Sequence, residues 1–376
     1  MEPLVIIGSG LAGYTVAKEY RKLKKNDVVV ITQDDGAFYS KPMLSNALEK
    51  KKTAEQLATA SAEKMSEDID IRVIRNTIIS EIDSADKTIV TSSGDKIGYS
   101  QLVLAVGALP IEIDVDSEVS KKVFHVNSLQ DYTVFRKELD TCKRIAIIGP
   151  GLIGCEFAND LAQAGYDIDV IGPSEYPLEK LVPVAVGEFL KDSLSTIGVQ
   201  WHLKATVENM RADEGGVLLS LTNGEKIKAD IVLSAIGLKP NLNLALQAGL
   251  NVGRGILVDK FLHTSERDIF ALGDCAELDG HVLPFILPLM TEARGLAKTL
   301  TGTATAVVYP TMPIVVKTSV SPIVVCPPAE NLAGRWKVEP SDAGVKAVFF
   351  DKHDKLKGFC LIGDTISEKQ NLLKKL

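Results

Sequence analysis

The chain lacks any clustering of cysteine or histidine. Its five cysteines are scattered over 376 residues and form no CxxC pair and no metal-ligand spacing. An odd, unpatterned set of this kind predicts reduced thiols in a cytosolic protein, not a disulfide framework. The five histidines form no triad or ligand pattern either, so the sequence gives no sign of acid–base or metal catalysis.

Basic excess and long apolar runs are also missing. The net charge is −7, with 42 basic against 49 acidic residues, so there is no surplus of cations to displace counterions from the phosphates of a nucleic acid. No apolar run approaches the roughly 20 residues that span a bilayer. The first residues, MEPLVIIGSG, lack the basic-then-apolar layout of a signal peptide. We therefore expect a cytoplasmic protein with no membrane span and no nucleic-acid partner.

Glycine, by contrast, is concentrated in a turn near the start of the chain. The apolar run Leu4–Ile7, typical of a parallel strand buried on both faces, leads into Gly8-Ser9-Gly10-Leu11-Ala12-Gly13 and a helical pattern from Tyr14 to Lys24. In such a turn the first glycine allows the bend, the second lets the backbone approach a pyrophosphate, and the third lets the helix pack on the strand. A second strand and an acid, Asp34, follow at the spacing of a ribose ligand.

The same order recurs in the middle of the chain. An apolar strand from Arg144 runs into Gly149-Pro150-Gly151-Leu152-Ile153-Gly154, and a helix is predicted from Cys155 to Ala164. A strand at Asp167–Ile171 and an acid at Glu175 complete the unit. Two dinucleotide sites in one chain most simply bind a flavin and a nicotinamide cofactor, with hydride passing between them.

The residues after strand Asp167–Ile171 bear on the choice between NADH and NADPH. Glu175 stands three positions beyond Gly172, which occupies the usual position of the acid. No arginine or lysine lies between Gly172 and Leu178. Because such a cation would hold the 2′-phosphate of NADPH, the sequence favours NADH.

Further motifs bring in a family resemblance. Two similar apolar runs, 102–108 and 231–237, each end a strand near a glycine, the second at Gly237, and a later run contains Gly273-Asp274. With the two glycine turns, these motifs resemble the two-dinucleotide-binding flavoprotein reductases, the glutathione-reductase-like superfamily, over nearly the whole chain. The resemblance implies that Asp274 bonds the ribityl chain of FAD.

Within that superfamily, segments 39–45, 154–160, 287–290 and 312–318 resemble the bacterial branch that reduces rubredoxin. That resemblance implies FAD contacts at Ser9, Gly10, Leu11, Ala12, Gln33, Asp34, Lys41, Ile79 (through its backbone), Glu156, Asp274, Ile286 and Lys317. For Ile79 and Ile286 a purely structural role in an apolar core is an open alternative.

Lys41 and Glu156 are the two residues to which the resemblance assigns a catalytic role. It implies that Lys41 lies beside flavin N5 with Glu156 as its ion-pair partner, an arrangement that makes physical sense because a buried charge needs an opposite charge. The pair would orient the nicotinamide and stabilise charge on the reduced flavin. The alternatives are an ordinary surface lysine and a first-turn acid that complements the helix dipole.

The positions of cysteine in thiol-handling relatives are the other informative comparison. Their redox cysteines belong to a helix where this chain reads Lys41–Asn46, and thioredoxin reductases carry a CxxC that is absent here. Cys155 and Cys275 are single, and helix packing is the better interpretation of each. The resemblance therefore implies that electrons leave FAD singly, without a redox disulfide, for a small acidic iron-containing carrier, most simply rubredoxin, as in alkane hydroxylation.

The predicted fold class is α/β, with two Rossmann-like domains and a small C-terminal α+β domain. The FAD domain is expected at 1–113 and 241–313, the NADH domain at 114–240 and the C-terminal domain at 314–376. Apolar runs at 314–317, 323–325, 346–350 and 358–362 predict strands in the last domain. Monomer and dimer both stay open, because the C-terminal region is shorter than the dimerisation domain of disulfide reductases.

Other functions compatible with the motifs are a ferredoxin reductase, a flavorubredoxin reductase and an NADH oxidase. A flavin monooxygenase of the Baeyer–Villiger type is disfavoured, because its signature FxGxxxHxxxW is absent. A redox-dependent binding module of the apoptosis-inducing-factor type is an alternative of a different class. It would be expected to carry extra segments or basic patches, which this sequence lacks.

Overall fold

The structure, a computed structural model, describes residues 2–376. Contacts divide the chain into two units. The first contains the chain up to residue 41 together with 58–109 and 238–310, and the second contains 42–57, 110–237 and 311–376. Segment 42–57 thus belongs to the second unit although the chain on both sides of it belongs to the first. The three-domain division expected from the sequence stays a prediction.

A five-stranded parallel sheet forms the centre of the first unit. In spatial order its strands are Ile269–Ala271, Gln101–Leu104, Leu4–Ile7, Val28–Ile31 and Arg72–Ile74. Leu4 and Ile6 pack in one hydrophobic cluster with helices Leu11–Leu23 and Ile286–Leu300. Val5 and Ile7 point to the other face and join a second cluster, which is why this strand is apolar at every position.

The second unit contains another five-stranded parallel sheet. Its strands, in spatial order, are Val123–Phe124, Ile231–Ser234, Arg144–Ile148, Asp167–Gly172 and Val199–Leu203. A separate antiparallel sheet in this unit contains Val207–Asp213, Gly216–Leu221 and Lys226–Ala229. Two parallel sheets, each carrying a glycine turn and a helix after a central strand, confirm the α/β class with two Rossmann-like units.

The C-terminal part of the second unit is an antiparallel sheet. In spatial order its strands are Ile314–Val316, Ile323–Cys326, Leu356–Gly363, Gly344–Asp351 and Gly334–Ser341. The sequence predicts all but the last. That strand lies at the edge of the sheet and is almost entirely exposed, so no apolar run marks it. Its one sequence signal is that Trp336 and Val338 alternate with charged residues.

The other elements are short. The remaining strands are Phe38–Tyr39, Ala58–Ala60, Ile79–Asp83, Thr88–Thr91, Lys96–Gly98, Ala108–Pro110, Leu238–Pro240, Ile256–Val258 and Ala276–Leu278. The α-helices not yet given, apart from the one after the second glycine turn, are Ala54–Leu57, Ala62–Ile69, Ser117–Ser120, Leu129–Leu139, Val184–Ser195, Asn243–Gln247 and Lys369–Leu373, and the 3-10 helices are Lys41–Asn46, Gly273–Cys275 and Asp364–Glu368. Within residues 2–376, none of the helices combines the length and the apolar character needed to cross a bilayer.

The helices that follow the two glycine turns are named here the first fingerprint helix, Leu11–Leu23, and the second fingerprint helix, Leu152–Gln163. Both begin earlier than the apolar pattern of the sequence predicts. The reason is that the third glycine of each turn already lies in the first helical turn, where it contributes no side chain to an apolar periodicity.

Candidate functional site

The first glycine of each turn has the same backbone φ angle. Gly8 and Gly149 both have φ of +112°, a conformation that side chains with a Cβ rarely adopt. A Cβ added at Gly8 would lie 2.2 Å from the carbonyl oxygen of Ala105, and one at Gly149 would lie 2.5 Å from that of Ala235. Only glycine fits these positions, because the neighbouring strand end is already in contact.

The third glycine of each turn is equally constrained, by the turn itself. A Cβ at Gly13 would lie 1.9 Å from the carbonyl oxygen of Gly8, and a Cβ at Gly154 would lie 1.9 Å from that of Gly149. These close approaches let each helix start directly against its strand, as the dinucleotide fingerprint requires.

The middle glycine of each turn behaves differently. A Cβ added at Gly10 or at Gly151 would meet no atom of the described chain within 4 Å. Each of these glycines is the N-cap of its fingerprint helix, and no side chain of residues 2–376 caps either helix. The amides of the first helical turn therefore receive no side-chain bond from the N-cap residue, and a helix end of this kind binds anions. Both turns fit the pyrophosphate of a dinucleotide.

Asp34, the acid predicted to bind ribose in the first unit, is tied to the glycine turn. Its Oδ1 accepts hydrogen bonds from the hydroxyls of Thr32 at 2.6 Å and Ser9 at 3.1 Å and from the backbone N–H of Gly36 at 2.9 Å. These three bonds hold the half-buried carboxylate beside the turn, and the same oxygen, Oδ1, accepts all of them. Gln33, the adjoining predicted contact, is exposed.

The Gly273-Asp274 motif is anchored by an acid that the motif does not include. Gly273 has φ of +74°, and its N–H donates to Oε2 of Glu292 at 2.7 Å. The other carboxylate oxygen of Glu292 accepts a bond from the hydroxyl of Tyr309, also at 2.7 Å. Burial raises the pKa of Glu292. Glu292 lies in an ordinary helical pattern, so the sequence carries no signal for this role.

Lys41 and Asp274, two predicted flavin ligands, influence each other inside the first unit. Lys41 is the first residue of the 3-10 helix Lys41–Asn46. Burial raises the pKa of Asp274, and the positive charge of Lys41 opposes that rise. The ion pair expected between Lys41 and Glu156 would join residues of different units, and it stays a prediction.

Glu156 is the centre of a polar cluster in the second unit. Its side chain is 0% exposed. Oε2 accepts a hydrogen bond from the hydroxyl of Ser45 at 2.5 Å and pairs with the ammonium of Lys317, while Oε1 accepts the backbone N–H of Lys317 at 2.9 Å. Charge-assisted bonds of this kind allow a carboxylate to stay ionised inside a protein. The sequence predicts Glu156 and Lys317 as flavin contacts, but not that they pair or that Ser45 joins them.

Two further side chains of the second fingerprint helix hold distant segments of the second unit. The carboxylate of Asp160 accepts the backbone N–H groups of Leu48 at 3.1 Å and Glu49 at 2.8 Å. The side-chain amide of Asn159 donates to the hydroxyl of Ser319 at 3.1 Å. This helix therefore fastens both segment 42–57 and the start of the C-terminal sheet. The one sequence signal for this was a set of polar residues at helical spacing in an otherwise apolar helix.

The other predicted positions lie at strand and helix ends. Glu175 is exposed and forms a 2.9 Å ion pair with Lys204, a partner not predicted from the sequence. Gly237 has φ of +125°. Ile286 is 40% exposed at the start of its helix, whereas the side chain of Ile79 is 7% exposed and belongs to the core. The flavin contacts expected of Ile79 and Ile286 stay predictions.

The cysteines in the described chain are all free, and no group of three or more possible metal ligands occurs in residues 2–376. The thiol of Cys155 is buried and donates to the carbonyl oxygen of Pro150 at 3.4 Å. Burial raises the pKa of Cys155, and it raises that of Cys275 to about 12. Because the thiolate is the reactive form, neither thiol suits a disulfide relay.

Sequence profiles of known families match nearly the whole chain. A profile described as pyridine nucleotide-disulphide oxidoreductase matches residues 2–301, and one described as rubredoxin binding C-terminal domain matches residues 306–376. The chain is 44% identical to the rubredoxin-NAD(+) reductase of Alcanivorax borkumensis, over 100% of this chain and 99% of that protein. It is 34% identical to the nitric oxide reductase FlRd-NAD(+) reductase of Aliivibrio fischeri, over 100% of this chain and 98% of that protein.

Solved structures match the fold at lower identity. The covalent putidaredoxin reductase–putidaredoxin complex aligns with a TM-score of 0.89 at 23% identity, over 100% of this chain and 94% of that chain. This match supports the fold, and the profile and sequence matches confirm the resemblance read from the motifs. The chain belongs to the pyridine nucleotide-disulphide oxidoreductase family.

Proposed function

We propose that the chain is an FAD-containing reductase that takes hydride from NADH and passes electrons singly to rubredoxin. The observation that carries this proposal is the pair of open middle glycines, Gly10 and Gly151, which leave space at the start of both fingerprint helices, where a dinucleotide would place its pyrophosphate. When bound, FAD accepts two electrons as hydride and can release them one at a time. The buried, protonated thiols support a route that does not use a disulfide.

Each half of the reaction depends on residues that bind and orient. The amides of the first glycine turn would hold the FAD pyrophosphate, with Asp34 on its ribose and Asp274 on its ribityl chain. The second turn would hold NADH, with Glu175 on the ribose hydroxyls. Lys41 would place positive charge where negative charge develops during hydride transfer.

Glu156 and Lys317 have a supporting place in this proposal. Glu156 holds the ammonium of Lys317 and bonds the hydroxyl of Ser45, so it fixes a cation inside the second unit. A fixed cation needs no reorganisation when charge changes nearby, which is how preorganised groups favour a reaction. The FAD contacts that the family resemblance implies for Glu156 and Lys317 belong to this proposal.

The acceptor is inferred from the C-terminal region and from relatives. Residues 306–376 match a profile for rubredoxin binding, and the more similar of the two named relatives is a rubredoxin reductase. Flavorubredoxin is the second candidate, because the full-length relative from Aliivibrio fischeri is named for it. Service of an alkane-oxidising pathway and a cytoplasmic location belong to the same proposal.

Stopped-flow mixing tests the acceptor directly. The purified yellow protein is reduced with NADH without oxygen and mixed with rubredoxin, with flavorubredoxin, with ferredoxin or with dissolved oxygen. We expect reoxidation to be fastest with rubredoxin and reduction to be faster with NADH than with NADPH. Rapid reoxidation by oxygen with none by rubredoxin would contradict the proposal and favour an NADH oxidase.

A further inference from the structure

A lysine that the local sequence does not reveal lies beside the predicted NADH-binding acid. The backbone N–H of Lys204 donates to the carbonyl oxygen of Ser174 at 3.1 Å. Its φ is +56°, and its Nζ pairs with Oε1 of Glu175 at 2.9 Å. The segment from Gly172 to Leu178 contains no lysine or arginine. In the fold, however, Lys204, which directly follows the neighbouring strand Val199–Leu203, lies beside it.

The pair lies at the strand ends where the proposed NADH site would place the adenosine ribose. Strands Asp167–Gly172 and Val199–Leu203 run parallel, with Gly172 opposite Leu203. Glu175 and Lys204 therefore both follow carboxyl ends of adjacent strands, where dinucleotide-binding sheets place the ribose. Both side chains also line an open surface cavity of about 510 Å³, which continues along the edge strand past Trp201 to Lys191.

The two charges have opposite preferences for the 2′ position of the nucleotide. A carboxylate accepts hydrogen bonds from ribose hydroxyls and repels a 2′-phosphate, whereas an ammonium attracts that phosphate. Both side chains are 66% exposed, so their mutual attraction is weak. Either one is therefore able to exchange its partner for a ligand group.

We propose that Lys204 sets nucleotide choice together with Glu175. In the wild-type protein Lys204 is a positioning residue that holds the Glu175 carboxylate toward the ribose hydroxyls. When Glu175 loses its charge, Lys204 becomes a ligand for a 2′-phosphate. This inference rests on the proposed NADH site in the second unit.

Calorimetric titration of the flavin-loaded protein tests the inference without turnover. The probes are ADP-ribose and its 2′-phosphate derivative, which differ only at the 2′ position. We expect Glu175→Gln to tighten binding of the phosphorylated probe about tenfold, since a charge-assisted bond to phosphate is worth at least that ratio. The double variant Glu175→Gln/Lys204→Gln should lose most of this gain and keep only the part that comes from removing the repulsion by Glu175. Glu175→Gln/Lys204→Arg should keep the whole gain.

The single variant Lys204→Gln tests the positioning role. We expect it to weaken ADP-ribose binding about threefold, in line with loss of an exposed ion pair. Lys228→Gln is the matched control, because Lys228 forms a 2.8 Å pair with Asp213 in the antiparallel sheet of the same unit. Lys228→Gln should change the affinity for neither ADP-ribose nor its 2′-phosphate derivative.

Two results would overturn the inference. One is a Glu175→Gln variant with no gain for the phosphorylated probe, and the other is a double Gln variant whose gain is as large as that of Glu175→Gln alone. Rubredoxin reduction by NADH is measured in the same wild-type preparation. An inactive wild type would therefore show failure of the proposed function, whereas an active wild type with either result above would show failure of this inference alone.

Discussion

Glu156 and Lys317 form an ion pair in which the carboxylate is fully buried. We expect Lys317→Met to lower the free energy of unfolding by about 3–5 kcal/mol, because it leaves a buried charge without its cation. Urea unfolding followed by circular dichroism measures this. Lys337→Met is the control, since Lys337 pairs with Glu339 at an exposed position and such pairs contribute about 0–1 kcal/mol.

The double variant Glu156→Gln/Lys317→Met separates charge from packing. It removes both charges, so it should recover part of the stability lost in Lys317→Met. Equal losses in the single and double variants would mean that the buried charge is not the cause.

Lys41 is the residue with the most direct predicted effect on chemistry. We expect Lys41→Ala to slow flavin reduction by NADH or to shift the flavin potential, because it removes the cation expected beside flavin N5. Anaerobic stopped-flow absorbance measures the rate, and Lys50→Ala, an exposed lysine a few residues on, is the control. Unchanged kinetics and an unchanged potential would remove Lys41 from the catalytic site.

His202 gives the second unit a stability that depends on pH. Its ring nitrogens bond Asp169 at 2.8 Å and Glu225 at 2.6 Å. Burial acts to lower the pKa of His202, but the hydrogen bonds and charges of the two carboxylates outweigh it and raise the pKa above 6.5. The protonated ring therefore contributes stability that is complete below pH 6.5 and is lost as pH rises through the folded-state pKa.

The corresponding measurement is the urea midpoint between about pH 6 and about pH 8. The wild-type midpoint should fall over this interval, and the His202→Gln variant should lack that part of the fall. A variant with the same slope as the wild type would assign the pH dependence to other groups.

The glycine turns allow binding and folding to be separated within one element. We expect Gly151→Ala to leave stability within about 0.5 kcal/mol, because its Cβ would meet no protein atom. The same change should weaken NADH binding at least about tenfold, since the Cβ would occupy the predicted pyrophosphate position. Calorimetric titration and urea unfolding measure the two effects.

Gly154→Ala is the matched variant three residues on. Its Cβ would lie 1.9 Å from the carbonyl oxygen of Gly149, so we expect a loss of stability of at least about 1–3 kcal/mol from overpacking. If both variants lost stability equally, the space at Gly151 would not be open. Unchanged NADH binding by Gly151→Ala would mean that this space is not the pyrophosphate position.

Elements whose residues repeat a simple pattern could be predicted from the sequence. Leu4–Ile7 and Arg144–Ile148 are continuous apolar runs because both faces of their sheets are covered. The edge strand Gly334–Ser341 was not predicted, because nearly all of its side chains are exposed and only Trp336 and Val338 alternate with its charged residues.

The same contrast applies to the candidate site. Glycines needed for backbone conformation follow a fixed local spacing, so Gly8 and Gly149 could be identified from the sequence. Lys204 and Glu292 could not, because each meets its partner through the fold. Lys204 reaches Glu175 from the next strand, and Glu292 reaches Gly273 from a later helix.

We expect thiol reagents to leave the reductase activity of the whole chain unchanged. Four of the five free cysteines are buried, and Cys142 is partly buried. Burial also raises the pKa of Cys142, which slows alkylation. We expect iodoacetamide to leave NADH-dependent rubredoxin reduction unchanged in the native protein, with any adduct confined to Cys142 by mass spectrometry. Inactivation in parallel with modification of Cys155 or Cys275 would contradict this prediction and support electron transfer through a cysteine.

The equal backbone angle at Gly8 and Gly149 has a consequence for redesign. We expect the two turns to bind a pyrophosphate in the same way. If the two turn sequences were swapped between the units, each unit should therefore still bind its own dinucleotide. We expect selectivity to arise after the second strand of each unit. There Asp34 accepts hydrogen bonds from the hydroxyls of Thr32 and Ser9, and Glu175 forms an ion pair with Lys204. An engineer who wishes to change the coenzyme would therefore conserve both glycine turns and vary the residues at these strand ends.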